Sequence, residues 1–220
     1  TIRPTSMQSN LAKLEVMEDG SIYSSGDVTK RDVFDLNFTS DQPITALRLE
    51  ALTDDRLPGY GPGRCYYEGR KGTFFLSEVE LKTESGIKVP LNKPIVSGGN
   101  GAEKVIDQDG SSGWSSAIGQ ANHLILPLAK PLPANQSLSI SLLFERHFVA
   151  SLGRFRISAT SSAKQPKAAK IGVEAERILS LRDKASAEDL TQLRSIYLEK
   201  VFLEKPSPAK PGAIQKNTQW

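Results

Sequence analysis

The stretch Phe75-Leu-Ser-Glu-Val-Glu-Leu81 predicts a core strand with an acid, Glu78, at its midpoint. A second stretch, Val105-Ile-Asp-Gln-Asp-Gly-Ser-Ser-Gly-Trp114, predicts an acidic turn that closes on a tryptophan. Together they favour a β-sandwich in which a bound cation ties the turn to the strand.

Apolar and polar side chains alternate with a period of two over most of the chain before Ser162. This period predicts half-buried strands, and Gly, Pro, Asp and Asn turns separate them, as in an antiparallel sandwich. Pro127 interrupts one run and predicts an edge or a bulge there, because proline cannot donate to a β-ladder. The alternating apolar positions are Phe34, Leu36, Phe38, Leu47, Leu49, Leu124, Leu126, Leu128, Leu138, Ile140, Leu142, Phe144, Phe155, Ile157 and Ala159.

The pattern becomes helical after the sandwich. We predict a sandwich domain at residues 1–162, a basic linker at 163–171, a helical hairpin at 172–204 and a flexible tail at 205–220. Ser186 is placed to cap the second helix with Asp189 three positions on. The second helix then carries an apolar stripe, formed by Leu190, Leu193, Tyr197 and Val201.

Composition narrows the functional classes. The 220 residues carry 28 basic and 25 acidic side chains, and a net charge of +3 gives no reason to expect nucleic-acid binding. The single cysteine, Cys65, excludes an internal disulfide and favours a buried thiol. No run of eighteen apolar residues is present, so the sequence predicts no membrane span.

The acidic turn resembles the Ala-x-Asp-Gly-Asp-x-x-Thr-x-Trp turn of discoidin-like, galactose-binding-like sandwiches, and Leu-Ser-Glu-Val-Glu-Leu resembles their closing strand. The resemblance implies an all-β fold, a galactose-binding-like antiparallel β-sandwich of jelly-roll type, here followed by a C-terminal α-helical hairpin. It also implies that Trp114 lies in the core. The order of strand and turn is reversed from the common arrangement, which suggests a permuted or differently wound version of that fold.

A longer resemblance runs from Leu14 to Val201. The strings Glu18–Gly26, Ala46–Asp54, Leu57–Arg64 and Phe75–Leu81 are similar to a domain of large planctomycete proteins that contain a cytochrome c module. That resemblance implies an exported protein, periplasmic or extracellular, whose flanking domains are partners. No Cys-x-x-Cys-His motif occurs, so we expect no haem in this fragment.

Calcium is the predicted cofactor, with a structural role. It prefers six to eight oxygen ligands, and Asp107, Asp109 and Ser112 can face one ion across a tight turn. The discoidin resemblance adds an acid from the Ser-Glu strand, Glu78, with Glu80 as the alternative. An Asp-Gly turn without any ion stays open as the other reading.

The sequence lacks the usual signatures of catalysis. His123 and His147 belong to no metal-binding pair, and the adjacent Asp54 and Asp55 face opposite ways in extended backbone. No nucleophile elbow or phosphate-binding glycine loop is present, and the Gly- and Pro-rich segment Leu57–Arg64 suits a rigid loop. We therefore expect no enzymatic activity.

The remaining chemistry indicates recognition. Aromatic and basic residues cluster between Asp54 and Gly72, and tyrosine faces and arginine forks suit an anionic polysaccharide. The predicted ligand-binding residues are Arg56, Tyr60, Arg64, Tyr66, Tyr67, Arg70, His147 and Arg154. Alternatively, Tyr66 and Tyr67 seal the end of the sandwich and the arginines are merely solvated.

Two functions follow from these observations. The first is a non-catalytic, monomeric carbohydrate-binding module, for an acidic or sulfated polysaccharide, within a larger exported protein. The second is a structural module without a glycan ligand that docks flanking domains of the parent chain.

Overall fold

A computed structural model describes residues 1–115, 120–146, 148–168 and 172–203. The chain divides into two compact units, Thr1–Val173 and Glu174–Trp220. The predicted tail at 205–220, the end of the linker at 169–171 and His147 lie outside the described residues. Within the described residues no helix is both long and apolar enough to cross a bilayer.

The first unit is a sandwich of two antiparallel sheets, as the alternating pattern predicts. One sheet has four strands in the order β1-β4-β9-β6, and the other has six in the order β2-β3-β10-β5-β8-β7. The strands are β1 Ser6–Ser9, β2 Ala12–Val16, β3 Ile22–Gly26, β4 Asp32–Ser40, β5 Ile44–Ala51, β6 Glu78–Thr83, β7 Ile95–Val96, β8 Asn122–Leu132, β9 Gln136–Phe144 and β10 Arg154–Thr160.

Strand parity places the apolar side chains between the sheets. Phe34 and Phe144 of the four-stranded sheet have ring centroids 5.0 Å apart, and Phe34 also stacks on Phe155 of the six-stranded sheet at 5.8 Å. All three rings are buried. Each such side chain removed from water stabilises the fold by about 1.5–3 kcal/mol, so this cross-sheet stack is a main contact between the layers.

Pro127 lies where the sequence predicted an irregularity. It pairs with Ala46, and the register between β5 and β8 shifts between Ile44 and Ala46. The shift accommodates a residue that has no backbone N–H to donate. The prediction of a bulge is confirmed.

Two helices follow the sandwich, α1 at Val173–Leu181, whose first residue ends the first unit, and α2 at Ala187–Leu203. Ser186 caps α2 as predicted, because its Oγ accepts the Asp189 N–H at 3.1 Å while Asp189 Oδ2 accepts the Ser186 N–H at 3.0 Å. This reciprocal pair satisfies two backbone donors at the helix start. Leu190 and Tyr197 of the predicted apolar stripe are exposed.

Candidate functional site

The segment Asp54–Gly72, called here the tyrosine loop, is fastened to itself by backbone hydrogen bonds. Gly63 N donates to Gly72 O at 2.9 Å, and Gly72 N donates to Cys65 O at 2.8 Å. Cys65 is fully buried, as the sequence favoured. The loop tip is held as well, since Glu68 Oε2 accepts the N–H of Phe148 at 2.7 Å. The loop is therefore a fixed surface feature.

Arg64 anchors the tyrosine loop from beneath. Its guanidinium is buried and donates to the carbonyl oxygens of Gly26 at 2.5 Å and Asp27 at 3.2 Å. Burial lowers its pKa, and the nearby charge of the buried Asp32 opposes that shift. The sequence predicted Arg64 as a ligand-binding residue. In the structure its guanidinium instead donates hydrogen bonds to the backbone at the end of β3.

Arg56 and Arg154 are also paired within the protein. Arg56 donates to both carboxylate oxygens of Asp54 at 2.8 Å and lies over the Tyr23 ring, 3.9 Å from its centroid. Arg154 bridges Asp54 Oδ2 at 3.3 Å and Asp19 Oδ2 at 2.8 Å. These contacts hold the pKa of Asp54 below its usual value, and the hydrogen bond from Arg56 has the largest effect. Both arginines thus brace the base of the loop, where we had expected them to face a ligand.

The other predicted residues of the loop reach its outer surface. Tyr60, Tyr66 and Tyr67 are 68%, 52% and 75% exposed, and Arg70 is exposed beside them. Tyr66 and Tyr67 therefore do not seal the end of the sandwich. Tyr60 has a φ of 56°, a conformation that non-glycine residues seldom adopt, at the end of a tight turn begun by Pro58.

The acidic turn is organised by its own hydrogen bonds. Asp107 Oδ1 accepts the Asp109 N–H at 2.9 Å, and its Oδ2 accepts the Ser112 hydroxyl at 2.7 Å. Asp109 Oδ1 accepts both the N–H and the hydroxyl of Ser111. Asp107 and Ser112 are thus together, whereas the Asp109 carboxylate is directed at Ser111.

Glu78 in β6 faces the acidic turn. Burial, then a hydrogen bond and the like charge of Asp107, raises the pKa of Glu78 to about 7. Its Oε1 is buried and has no hydrogen-bond partner in the described ranges. Glu80, the alternative ligand, instead pairs with Lys82 and with Lys88. Two of the three predicted carboxylates therefore meet, and no group of three or more His, Cys, Asp or Glu side chains suited to a metal occurs among the described residues.

Two structural acids were missed at the sequence level. Asp54 was interpreted only as the start of the loop, and its partner Arg154 lies 100 residues away. Asp32 is 2% exposed. A signal for Asp32 did exist, because it shares its strand parity with the inward-facing Phe34, Leu36 and Phe38.

The chain resembles few known proteins in sequence or in structure. No protein-family model matches the chain, and no curated protein matches it. One solved structure that matches is the catalytic domain of a GH87 alpha-1,3-glucanase in complex with nigerose, at 14% identity and a TM-score of 0.33. The match covers 89% of this chain and 33% of that chain. At this TM-score we draw no inference from the likeness.

Proposed function

We propose that the chain is a non-catalytic carbohydrate-binding module for an acidic or sulfated polysaccharide, of the galactose-binding-like type, in a larger exported protein. One observation carries the proposal: three exposed tyrosines stand on a loop that Arg64 holds rigidly against the sandwich. Aromatic faces that are already fixed in place bind sugar rings without a further loss of loop entropy.

Replacing Tyr60 and Tyr67 together by alanine should weaken polysaccharide binding about tenfold or more, because two stacking faces are lost. Isothermal titration against neutral, carboxylated and sulfated polysaccharides measures the change. Tyr197→Ala is the matched control, since Tyr197 is a comparably exposed tyrosine on α2. Equal affinities for the double variant and the wild type would remove the tyrosine loop from the site.

A second candidate function is docking of flanking domains of the parent chain. It is favoured by the large apolar side chains that the helices expose, namely Leu179, Leu190, Tyr197 and Leu198. The same titrations separate the two functions. If the folded wild-type protein binds none of the polysaccharides, carbohydrate binding is excluded and docking becomes the better proposal.

Calcium remains a proposal for the acidic turn. The buried Oε1 of Glu78 and the neighbouring Asp107 carboxylate supply hard oxygen ligands of the kind calcium prefers, with backbone carbonyls and the Ser112 hydroxyl nearby. Asp109 would have to leave Ser111 to join them. A bound ion would supply the positive charge that this pair of acids lacks, and it would tie the turn to β6.

Glu78→Gln should stabilise the calcium-free protein at pH 8, with a rise in melting temperature of about 2–4 °C. The pKa of Glu78 is 4.5 ordinarily and about 7 in the folded protein, so between pH 4.5 and pH 7 the folded protein binds a proton that the unfolded chain has released. The stability of the folded protein therefore falls as the pH rises from 4.5 to 7. Near pH 5 the protonated Glu78 resembles glutamine, and the two proteins should melt alike.

Millimolar calcium at pH 8 should raise the melting temperature of the wild type but not that of Glu78→Gln. A wild-type protein indifferent to calcium would leave the turn without an ion. If Glu78→Gln were no more stable than the wild type at pH 8 without calcium, the repulsion between Glu78 and Asp107 would be refuted instead.

A further inference from the structure

A cleft of about 1070 Å³ opens beside the tyrosine loop, within the sandwich unit. Its walls come from the end of that loop and the residues directly after it (Gly69, Arg70 and Thr73–Phe75), from the turn at Asn100–Lys104, from the acidic turn and from Arg146. The volume is slightly above the range of about 300–1,000 Å³ that small-molecule sites occupy. The cleft can therefore take a group larger than a single ion.

Positive charge converges on this cleft from three separate parts of the chain. Arg70, Lys104 and Arg146 all line it, and all three are exposed. Two acids, Glu103 and Asp109, also line it, but Asp109 already accepts two hydrogen bonds from Ser111. The balance favours an anion, and the acids remain as acceptors for hydroxyl groups.

Arg146 is held in position for such a ligand. Its guanidinium carbon lies 4.8 Å from the centroid of the Phe75 ring, and Nη1 donates to Ser111 O at 3.3 Å. A guanidinium has five N–H donors, and this is the one hydrogen bond that Arg146 makes through its side chain within the described residues. Stacking restricts the side chain in advance, so less entropy is lost when the remaining donors bind a carboxylate or a sulfate.

The rest of the lining suits a sugar. Asn100, Ser112 and Ser115 also line the cleft, and the Ser112 hydroxyl, which donates to Asp107, can still accept a hydrogen bond. Such groups hydrogen-bond the hydroxyls of a sugar ring, whereas a simple inorganic anion would need only the basic side chains of the cleft. Arg70 belongs both to the cleft and to the tyrosine loop, three positions after Tyr67, so the two surfaces are continuous.

We infer that this cleft is the anion subsite of the module: it binds the carboxylate or sulfate group of a polysaccharide whose neighbouring rings lie on the tyrosine loop. The inference rests on the proposed function and deepens it. It assigns the selectivity for charge to Lys104 and Arg146, which belong to other loops than the tyrosines.

The test compares dextran, carboxymethyl dextran and dextran sulfate, which share one backbone and differ in the charged group. Lys104→Gln with Arg146→Gln should weaken binding of one or both charged polymers about tenfold or more and leave the neutral one unchanged. The affinity of the double variant should also depend less on salt. Whichever charged polymer loses more affinity identifies the preferred group.

Lys13→Gln with Lys130→Gln is the control, because it removes two exposed charges from the six-stranded sheet, away from the cleft. Equal losses in both double variants, or equally tight binding of polyphosphate, would overturn the subsite, since either result would mean attraction by net charge. If Tyr60→Ala with Tyr67→Ala weakens binding but the cleft variants do not, the proposed function stands and the subsite is wrong. A wild type that binds no polymer refutes both. If the double variant fails to fold, Lys104→Gln alone serves, since its side chain is exposed.

Discussion

Replacement of Trp114 by alanine should cost about 3–5 kcal/mol of unfolding free energy, the range for truncating a large buried aromatic side chain. The indole is 0% exposed and meets the Phe74 ring edge-on, with centroids 4.9 Å apart. Its Nε1–H donates to Gly98 O at 3.1 Å. Backbone bonds between Trp114 and Leu76 fasten it to the segment before β6, so the surroundings have little freedom to collapse into the cavity. Urea denaturation followed by circular dichroism measures the loss.

Trp114→Phe separates the two contributions of the indole. Phenylalanine keeps most of the apolar volume but removes the donor to Gly98 O. The loss of unfolding free energy should therefore be smaller than for alanine, but larger than the roughly 1 kcal/mol of a typical hydrogen bond. An alanine variant as stable as the wild type would mean that Trp114 does not belong to the core. That result would also undo the agreement with the family resemblance, which predicted the residue inside.

Gly63→Ala should destabilise the protein by about 3 kcal/mol or more, at or above the upper end for overpacking. A Cβ at Gly63 would lie 1.9 Å from Thr73 O and 2.2 Å from Thr73 C. Both obstacles are backbone atoms of the residue that directly follows the tyrosine loop, so no side-chain rotation relieves the clash. We expect the loop to open and polysaccharide binding to fall with it, which denaturation and titration of the same sample would show.

Gly172→Ala is the control for this substitution. Among the described residues no atom lies within 4 Å of a Cβ placed there, and Gly172 is not one of the described glycines with a positive φ. Its stability and binding should stay within error of the wild type. If Gly63→Ala bound polysaccharide normally, the close contact between Gly63 and Thr73 would not be needed for the site.

The sequence was most informative where a local pattern determines the outcome. The alternation in β4 and β9 predicted which side chains face inward, and the reciprocal cap at Ser186 and Asp189 was legible because both partners lie within one helical turn. Pro127 predicted a bulge for the same reason, since the missing N–H belongs to the residue itself. In these cases the residue type and a short spacing suffice.

Contacts between residues that are distant in sequence could not be predicted from the sequence. The sequence predicts Arg64 and Arg154 as ligand-binding residues because an arginine fork suits a carboxylate or a sulfate. Their partners, the Gly26 carbonyl and Asp54, lie 38 and 100 residues away and are brought close only by the order of the strands. The cleft at Lys104 and Arg146 is not evident from the sequence for the same reason, because its four walls come from separate parts of the chain. The exposure of Tyr60, Tyr66 and Tyr67 agrees with the ligand-binding interpretation, whereas the alternative in which Tyr66 and Tyr67 seal the sandwich is wrong.

The first strand covers part of an edge of the four-stranded sheet. β1 pairs with β4 over Phe34–Asn37, and two residues later the chain enters β2 at the edge of the other sheet. Without Ser6–Ser9, the nine-residue strand β4 would become the outermost strand, with a row of unpaired backbone groups that invites another chain to add to it. A shorter edge strand offers fewer unpaired backbone groups than β4 would, so a version that lacks Ser6–Ser9 should associate edge to edge more readily than the wild type.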